Sequence, residues 1–168
     1  MRTLPLDLGS LHFIGIGGIG MSGMADMLFH LGYSIQGSDL RASSNTHRLE
    51  KKGIRIFIGQ AATNLDKTVD VVVYSTAVSS TNPELCEAIQ RGIPIISRAE
   101  MLSELMRFYL TVAVSGTHGK TTTTSLVGQV MKSFSPTIIN GGIINNLGSN
   151  VEMGSGEWMV VEADESDG

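Results

Sequence analysis

Two glycine-rich stretches punctuate this 168-residue chain, GIGGIG at Gly15 to Gly20 and GTHG at Gly116 to Gly119. Each directly follows an apolar run and directly precedes a segment of helical periodicity. Short apolar runs alternating with such segments point to α/β architecture, because a strand buried on both faces needs helices on both sides of its sheet. The runs LHFIG, YSIQGS, IRIFIG, DVVVYS and IPIIS predict five strands by residue 97. Between the first two, Met21, Met24, Ala25, Leu28 and Leu31 recur at helical spacing, which assigns these methionines to the core. Ser97 is placed to N-cap a helix carrying Leu102, Leu105, Met106 and Tyr109. The alternation then restarts: strand LTVAVSG, helix KTTTTSLVGQVMKSF, strands PTIING and EWMVVEA. The expected fold is a Rossmann-like parallel-sheet domain over residues 1–108, followed over 109–168 by the start of a P-loop ATPase-type α/β domain.

Composition narrows the function classes. With 42% apolar and 17% charged residues the chain reads as globular. A net charge of -4 without a basic block argues against a nucleic-acid surface. No apolar run reaches the ~18 residues of a membrane span. Asp7 and two early glycines interrupt the N-terminal stretch where a signal peptide needs a continuous apolar segment. The single cysteine, Cys86, cannot pair within the chain and is expected as a small buried residue on a helix. These features point to the cytoplasm and to small-molecule partners, with no nucleic acid, no membrane and no obligate protein partner.

The first loop satisfies G-x-G-x-x-G in its required context, strand before and helix after, with Asp39 nineteen residues beyond Gly20 at the tip of the second strand. Gly15, Gly17, Gly18 and Gly20 would let the backbone turn tightly and approach a diphosphate, while Asp39 would accept hydrogen bonds from a ribose or base. The fingerprint does not say which nucleotide, and an NAD-binding oxidoreductase or NAD-sensing module is the alternative it suggests.

The second loop fails the strict Walker pattern, because Val114 stands where the first glycine belongs. It retains what anion binding needs. Gly116, Thr117, His118 and Gly119 offer successive backbone N–H groups, Lys120 a charge for the β and γ phosphates, and Thr121 and Thr122 hydroxyls at the helix start. His118 reads equally as loop packing or as a phosphate contact. Downstream, EWMVVEADESD ends an apolar strand in Glu162, Asp164, Glu165 and Asp167. Carboxylates at a strand end suit Mg²⁺, and Glu162, nearest the strand, is the candidate ligand together with Thr121.

Taken in order, HFIGIGGIGMSGMA, GSDL, NPEL, SRAEMLSELMRF, GTHGKTTTT, NGG and EADESD resemble the Mur ligases of bacterial peptidoglycan synthesis. That resemblance implies two nucleotides for two loops. Gly15, Gly17, Gly18, Gly20, Asp39, Ser75 and Thr76 would hold the UDP of a UDP-linked sugar rather than NAD. The segment Gly116 to Thr122 would bind ATP, with Lys120 as the catalytic cation and Thr121 and Glu162 toward Mg²⁺. Many relatives carry histidine where Gln60 stands. The implied chemistry is an ATP-dependent amide ligation whose substrates are UDP-N-acetylmuramate, L-alanine and ATP. Family members continue through a further metal ligand and a C-terminal domain. The chain is therefore expected to be a fragment that binds the UDP-sugar but does not complete the ligation alone.

Overall fold

A computed structural model describes residues 9–144 and 149–163. Asp7 and the acids Asp164, Glu165 and Asp167, singled out above, lie outside the described residues. The chain divides into two compact units, Met1–Met101 and Leu102–Gly168.

The first unit is a five-stranded sheet of β1 (Ser10–Ile14), β2 (Ser34–Asp39), β3 (Arg55–Ile58), β4 (Val69–Tyr74) and β5 (Ile95–Ser97), in the order β3-β2-β1-β4-β5. Every neighbouring pair is parallel. The connections carry helices α1 (Ile19–His30), α2 (Ser44–Lys51) and α3 (Pro83–Arg91). Central position buries β1: Leu11, Phe13 and Ile14 are fully buried, as is the one polar side chain among them, His12. On α1 the expected stripe of Met21, Met24, Ala25 and Leu28 is buried. The α3 side of the sheet is filled by Ile14, Leu65, Val69, Val72, Leu85 and Ala88. The strand order reverses at β1/β4, where an open parallel sheet leaves a crevice beyond its carboxyl ends.

Helix starts are set by local chemistry. Asn82 caps α3 by accepting from the N–H groups of Glu84 and Leu85, at 2.8 and 3.2 Å, with Pro83 in the first turn. Ser43 and Thr46 form a capping box at α2, the Thr46 N–H on Ser43 Oγ at 3.2 Å and the Ser43 N–H on Thr46 Oγ1 at 2.8 Å. Ser97 does the same for α4 (Arg98–Met106), whose Glu100 reaches back to the Ser97 N–H at 2.6 Å and returns a bond to its hydroxyl at 3.2 Å. Hydrogen bonding to its carboxylate by Ser97, first from the backbone N–H and then from the hydroxyl, holds the Glu100 carboxyl below its ordinary value.

The expectation for Cys86 fails: it is exposed. The inward stripe of α3 runs through Leu85 and Ala88, so Cys86 falls on the solvent side.

The second unit is a four-stranded sheet, β6 (Leu110–Val114), β7 (Thr137–Ile144), β8 (Ser149–Glu152) and β9 (Trp158–Glu162), ordered β6-β9-β7-β8, with α5 (Lys120–Val130) following the second glycine loop. β6 and β7 are both parallel to β9, whereas β8 is antiparallel to β7. Sequence reasoning found three of these strands and missed β8. Its SNVE carries one apolar residue, and the burial of Ser149 and Asn150 beside Val151 is a product of tertiary contact. No helix among the described residues is long and apolar enough to cross a membrane.

Candidate functional site

The first glycine loop opens on a cavity of about 510 Å³ lined by Gly15, Gly17, Gly18, Asp39 and Ser75 among the expected residues. Gly20 and Thr76 are not among its lining residues. Sequence reasoning missed Leu40, Arg41 and Ser43, which follow Asp39 around the rim. Gln60 also lines the cavity.

The loop's own amides are largely engaged within the protein. Gly15 and Ile16 donate to the Ser38 carbonyl at 2.9 and 3.0 Å, and Gly18 donates to the Gly15 carbonyl at 3.1 Å. Gly17 is held at both ends: its N–H donates to Asp39 Oδ2 at 2.8 Å, and its carbonyl accepts from Asn45 Nδ2 at 2.9 Å. Asp39 Oδ1 accepts in turn from the Arg41 N–H at 3.3 Å. Asp39 and Asn45 therefore clamp the loop between the tip of β2 and the first turn of α2. A Cβ at Gly17 would meet Asp39 Oδ2 at 2.8 Å and Ser43 Oγ and Thr46 Cγ2 at 3.1 Å, so this position has no room for a side chain. Gly15, at φ +81°, needs glycine for its backbone conformation. At Gly20 the neighbour is Arg98, whose Nη1 lies 2.6 Å from where a Cβ would stand.

Behind the cavity sits a buried polar cluster that no sequence signal announced. Glu84 and His12 are both fully buried, with Glu84 Oε2 at 3.1 Å from His12 Nε2 and 2.5 Å from Ser38 Oγ. Glu84 Oε1 accepts from Asn64 Nδ2 at 2.6 Å and from the Ala61 N–H at 3.3 Å. His12 Nδ1 lies 2.9 Å from Gln36 Nε2. Burial opposes the charge on Glu84, but the hydrogen bonds of His12, Ser38 and Asn64 and the charge of His12 outweigh it and lower its pKa. Ser38 supplies the carbonyl that holds Gly15 and Ile16, and Ala61 adjoins Gln60. One buried carboxylate thus braces two sides of the cavity.

In the second unit, Thr117, His118, Gly119, Lys120, Thr121, Thr122 and Glu162 line one cavity of about 390 Å³, and Gly116 is the expected residue absent from its lining. Gly116 and Gly119 have φ of +146° and +75°, conformations L side chains rarely adopt. β9 pairs with β6 so that Glu162 lies opposite Val114, which brings the carboxylate out beside the strand that feeds the loop. Thr121 Oγ1 is 3.1 and 2.9 Å from the two Glu162 oxygens, and the Gly141 N–H donates to Oε2 at 2.7 Å. A Cβ at Gly141 would stand 2.9 Å from the Glu162 carboxyl carbon, which keeps that residue small.

Thr121 and Glu162 fit a small hard cation. Both present oxygen, and Mg–O bonds of roughly 2.0–2.1 Å put neighbouring ligand oxygens about 2.9 Å apart. Among the described residues, however, no group of three or more His, Cys, Asp or Glu side chains converges as a metal site. Among the described residues Thr121 and Glu162 bring their oxygens together here, and phosphate or water would supply further ligands.

The chain is similar to known proteins. A family profile described as "Mur ligase family, catalytic domain" matches residues 10–110. UDP-N-acetylmuramate–L-alanine ligases from Parvibaculum lavamentivorans and Rhodospirillum rubrum are 58% and 59% identical, matching 100% of this chain and 34% and 35% of their own lengths. The chain thus spans about a third of the length of these relatives. Among solved structures, the UDP-N-acetylmuramate–alanine ligase of Thermotoga maritima is 40% identical with a TM-score of 0.84, over 94% of this chain and 37% of that one. The UDP-N-acetylmuramate:L-alanyl-γ-D-glutamyl-meso-diaminopimelate ligase of Neisseria meningitides is 30% identical, also at 0.84, over 94% and 53%. The profile match runs from β1 to the start of β6, more than half of the chain, and this protein belongs to the Mur ligase family.

Proposed function

We propose that this chain forms the nucleotide-handling part of an ATP-dependent ligase that joins L-alanine to UDP-N-acetylmuramate in peptidoglycan synthesis. What carries the reading is two glycine loops, each opening on its own cavity, in a chain of this family. Residues 1–108 are the UDP-sugar domain and 109–168 the start of the ATP domain. In the first, Gly15, Gly17, Gly18, Asp39 and Ser75 shape the seat for the nucleotide, with Gly20 and Thr76 flanking it. The reaction takes place in the cytoplasm.

The ligation needs a carboxylate made reactive. The lactyl carboxylate of the UDP-sugar attacks the γ-phosphoryl group of ATP, releasing ADP and leaving an acyl phosphate. The amine of L-alanine then displaces phosphate to form the amide. Lys120 stabilises charge on the transferring phosphoryl group, while the loop from Gly116 to Thr122 fixes the triphosphate. Thr121 and Glu162 hold Mg²⁺, which when bound neutralises phosphate charge. Little covalent chemistry is asked of the protein; positioning and electrostatics dominate.

Calorimetric titration of the 168-residue chain tests the reading. UDP-N-acetylmuramate is expected to bind and NAD is not. Tight NAD binding with no response to the UDP-sugar would overturn the assignment, and ATP binding without any uridine affinity would indicate a P-loop kinase or switch.

A further inference from the structure

We infer that Arg41 is the side-chain cation that neutralises the diphosphate of the nucleotide sugar in the first cavity. The inference rests on the UDP-sugar reading and deepens it by supplying a charge that the glycine fingerprint lacks.

A diphosphate brings two negative charges into a cavity that already contains the Asp39 carboxylate. In a Rossmann-like site the loop amides would normally answer that charge. Here the N–H groups of Gly15, Ile16, Gly17 and Gly18 donate to protein acceptors. The remaining backbone donors are the first N–H groups of α1, whose partial charge is roughly half a unit. A full positive charge has to come from a side chain. Among the described residues lining the cavity, Arg41 is the one cation.

Its placement suits the task. The Arg41 N–H is held by Asp39 Oδ1 at 3.3 Å, and the same carboxylate holds the Gly17 N–H through Oδ2 at 2.8 Å. One aspartate therefore pins the Arg41 backbone to the glycine loop and leaves the guanidinium to move. Arg41 is exposed, and among the described residues its guanidinium has no hydrogen bond or ion pair. Several other cations of the first unit are committed elsewhere: Arg48 and Lys52 to Asp26 at 2.6 Å, Arg55 to Asp66 at 2.6 Å, and Arg91 to the Leu65 and Asp66 carbonyls at 3.0 Å. The planar fork of a guanidinium matches two phosphate oxygens, a geometry a lysine ammonium does not reproduce. Leu40, also on the rim and 68% exposed, offers apolar surface beside it for a base or sugar face.

The experiment uses the 168-residue chain and three probes, UDP-N-acetylmuramate, UDP and uridine, against wild type, Arg41→Ala and Arg41→Lys. Arg41→Ala is expected to weaken the two diphosphates about tenfold or more and to leave uridine unchanged. Arg41→Lys should recover part of the loss. Wild-type affinity for UDP should fall more steeply with ionic strength than that of Arg41→Ala. An unchanged unfolding midpoint for the variants is expected, since the side chain is exposed. Equal UDP-sugar affinity in wild type and Arg41→Ala would overturn the inference while leaving the functional reading standing. An equal loss of uridine and UDP would overturn it too, by placing the guanidinium on the base or ribose. Failure of wild type to bind any of the three would remove the inference and the functional reading together.

Discussion

At Gly17 a Cβ would lie 2.8 Å from Asp39 Oδ2, whereas at Gly119 nothing lies within 4 Å and φ is +75°. At Gly17 the first loop needs glycine because neighbouring side chains have closed in on it. The second needs glycine because its backbone bends into the left-handed region in open space. The same contrast extends outward. Gly17 is latched by Asp39 and Asn45 and braced from behind by a buried carboxylate, while Lys120, Thr121 and Glu162 in the second unit meet at an accessible cavity. A tightly braced seat suits a ligand bound as a rigid unit. An open loop suits one whose phosphate must leave.

The largest effect is expected where the brace is cut. His12→Ala removes a hydrogen bond to the fully buried Glu84 carboxylate, worth about 1.5–3 kcal/mol, and leaves a cavity where a buried ring stood. The single tryptophan, Trp158, lies in the second unit, so its fluorescence reports that unit while circular dichroism reports both. In urea, the His12→Ala chain should lose part of its dichroism at lower denaturant while the Trp158 transition stays in place. Coincident shifts in both signals would show that the units are not separable. Glu84 adds a pH signature. Its folded pKa lies below the ordinary 4.5, so its contribution is complete above about that pH and is lost as pH falls through the folded value. Glu84→Gln should flatten this acid limb of the first unit's stability.

The sequence made the scaffold readable where burial leaves a periodic trace. All five strands of the first sheet stand out as short apolar runs, and α1 as a buried stripe at helical spacing. The Glu84–His12 cluster left no such trace: His12 looks like one polar residue inside an apolar run, and its partner lies 72 residues away. Asn45 and Arg41 were illegible for a related reason, since each acts on the loop only once β2 and α2 have brought it there. Cys86 shows the opposite error. A general preference of cysteine for the interior lost to the phase of one helix, which turned residue 86 outward.

Next in size is Gly17→Val. Crowding against Asp39, Ser43 and Thr46 is of the overpacking kind, about 1–3 kcal/mol, and it displaces the carboxylate that holds both Gly17 and Arg41. UDP-sugar binding should be lost and ATP binding kept, as two parallel titrations would show. Loss of both ligands would point to a global folding defect and erase the contrast between the loops. Gly119→Ala attacks the second loop through conformation alone, and an alanine held at positive φ costs about 1–2 kcal/mol. Here ATP affinity and the Trp158 unfolding midpoint should fall while UDP-sugar affinity is unchanged.

Asn45→Ala is the mildest cut and the sharpest test of the latch. Asn45 lies in the first turn of α2, and its amide reaches the Gly17 carbonyl at 2.9 Å across 28 residues of sequence. Removing it deletes one hydrogen bond, worth about 0.5–1.5 kcal/mol, and leaves the Asp39 contact to the Gly17 N–H intact. The capping box of Ser43 and Thr46 does not involve the Asn45 side chain, so α2 itself should persist. If the loop is held at both ends for the sake of the ligand, UDP-sugar affinity should fall several-fold with only a small change in the unfolding midpoint. A stability loss with no change in affinity would mean that the latch serves the fold alone, and the rigidity of the first loop would then have no bearing on what it binds.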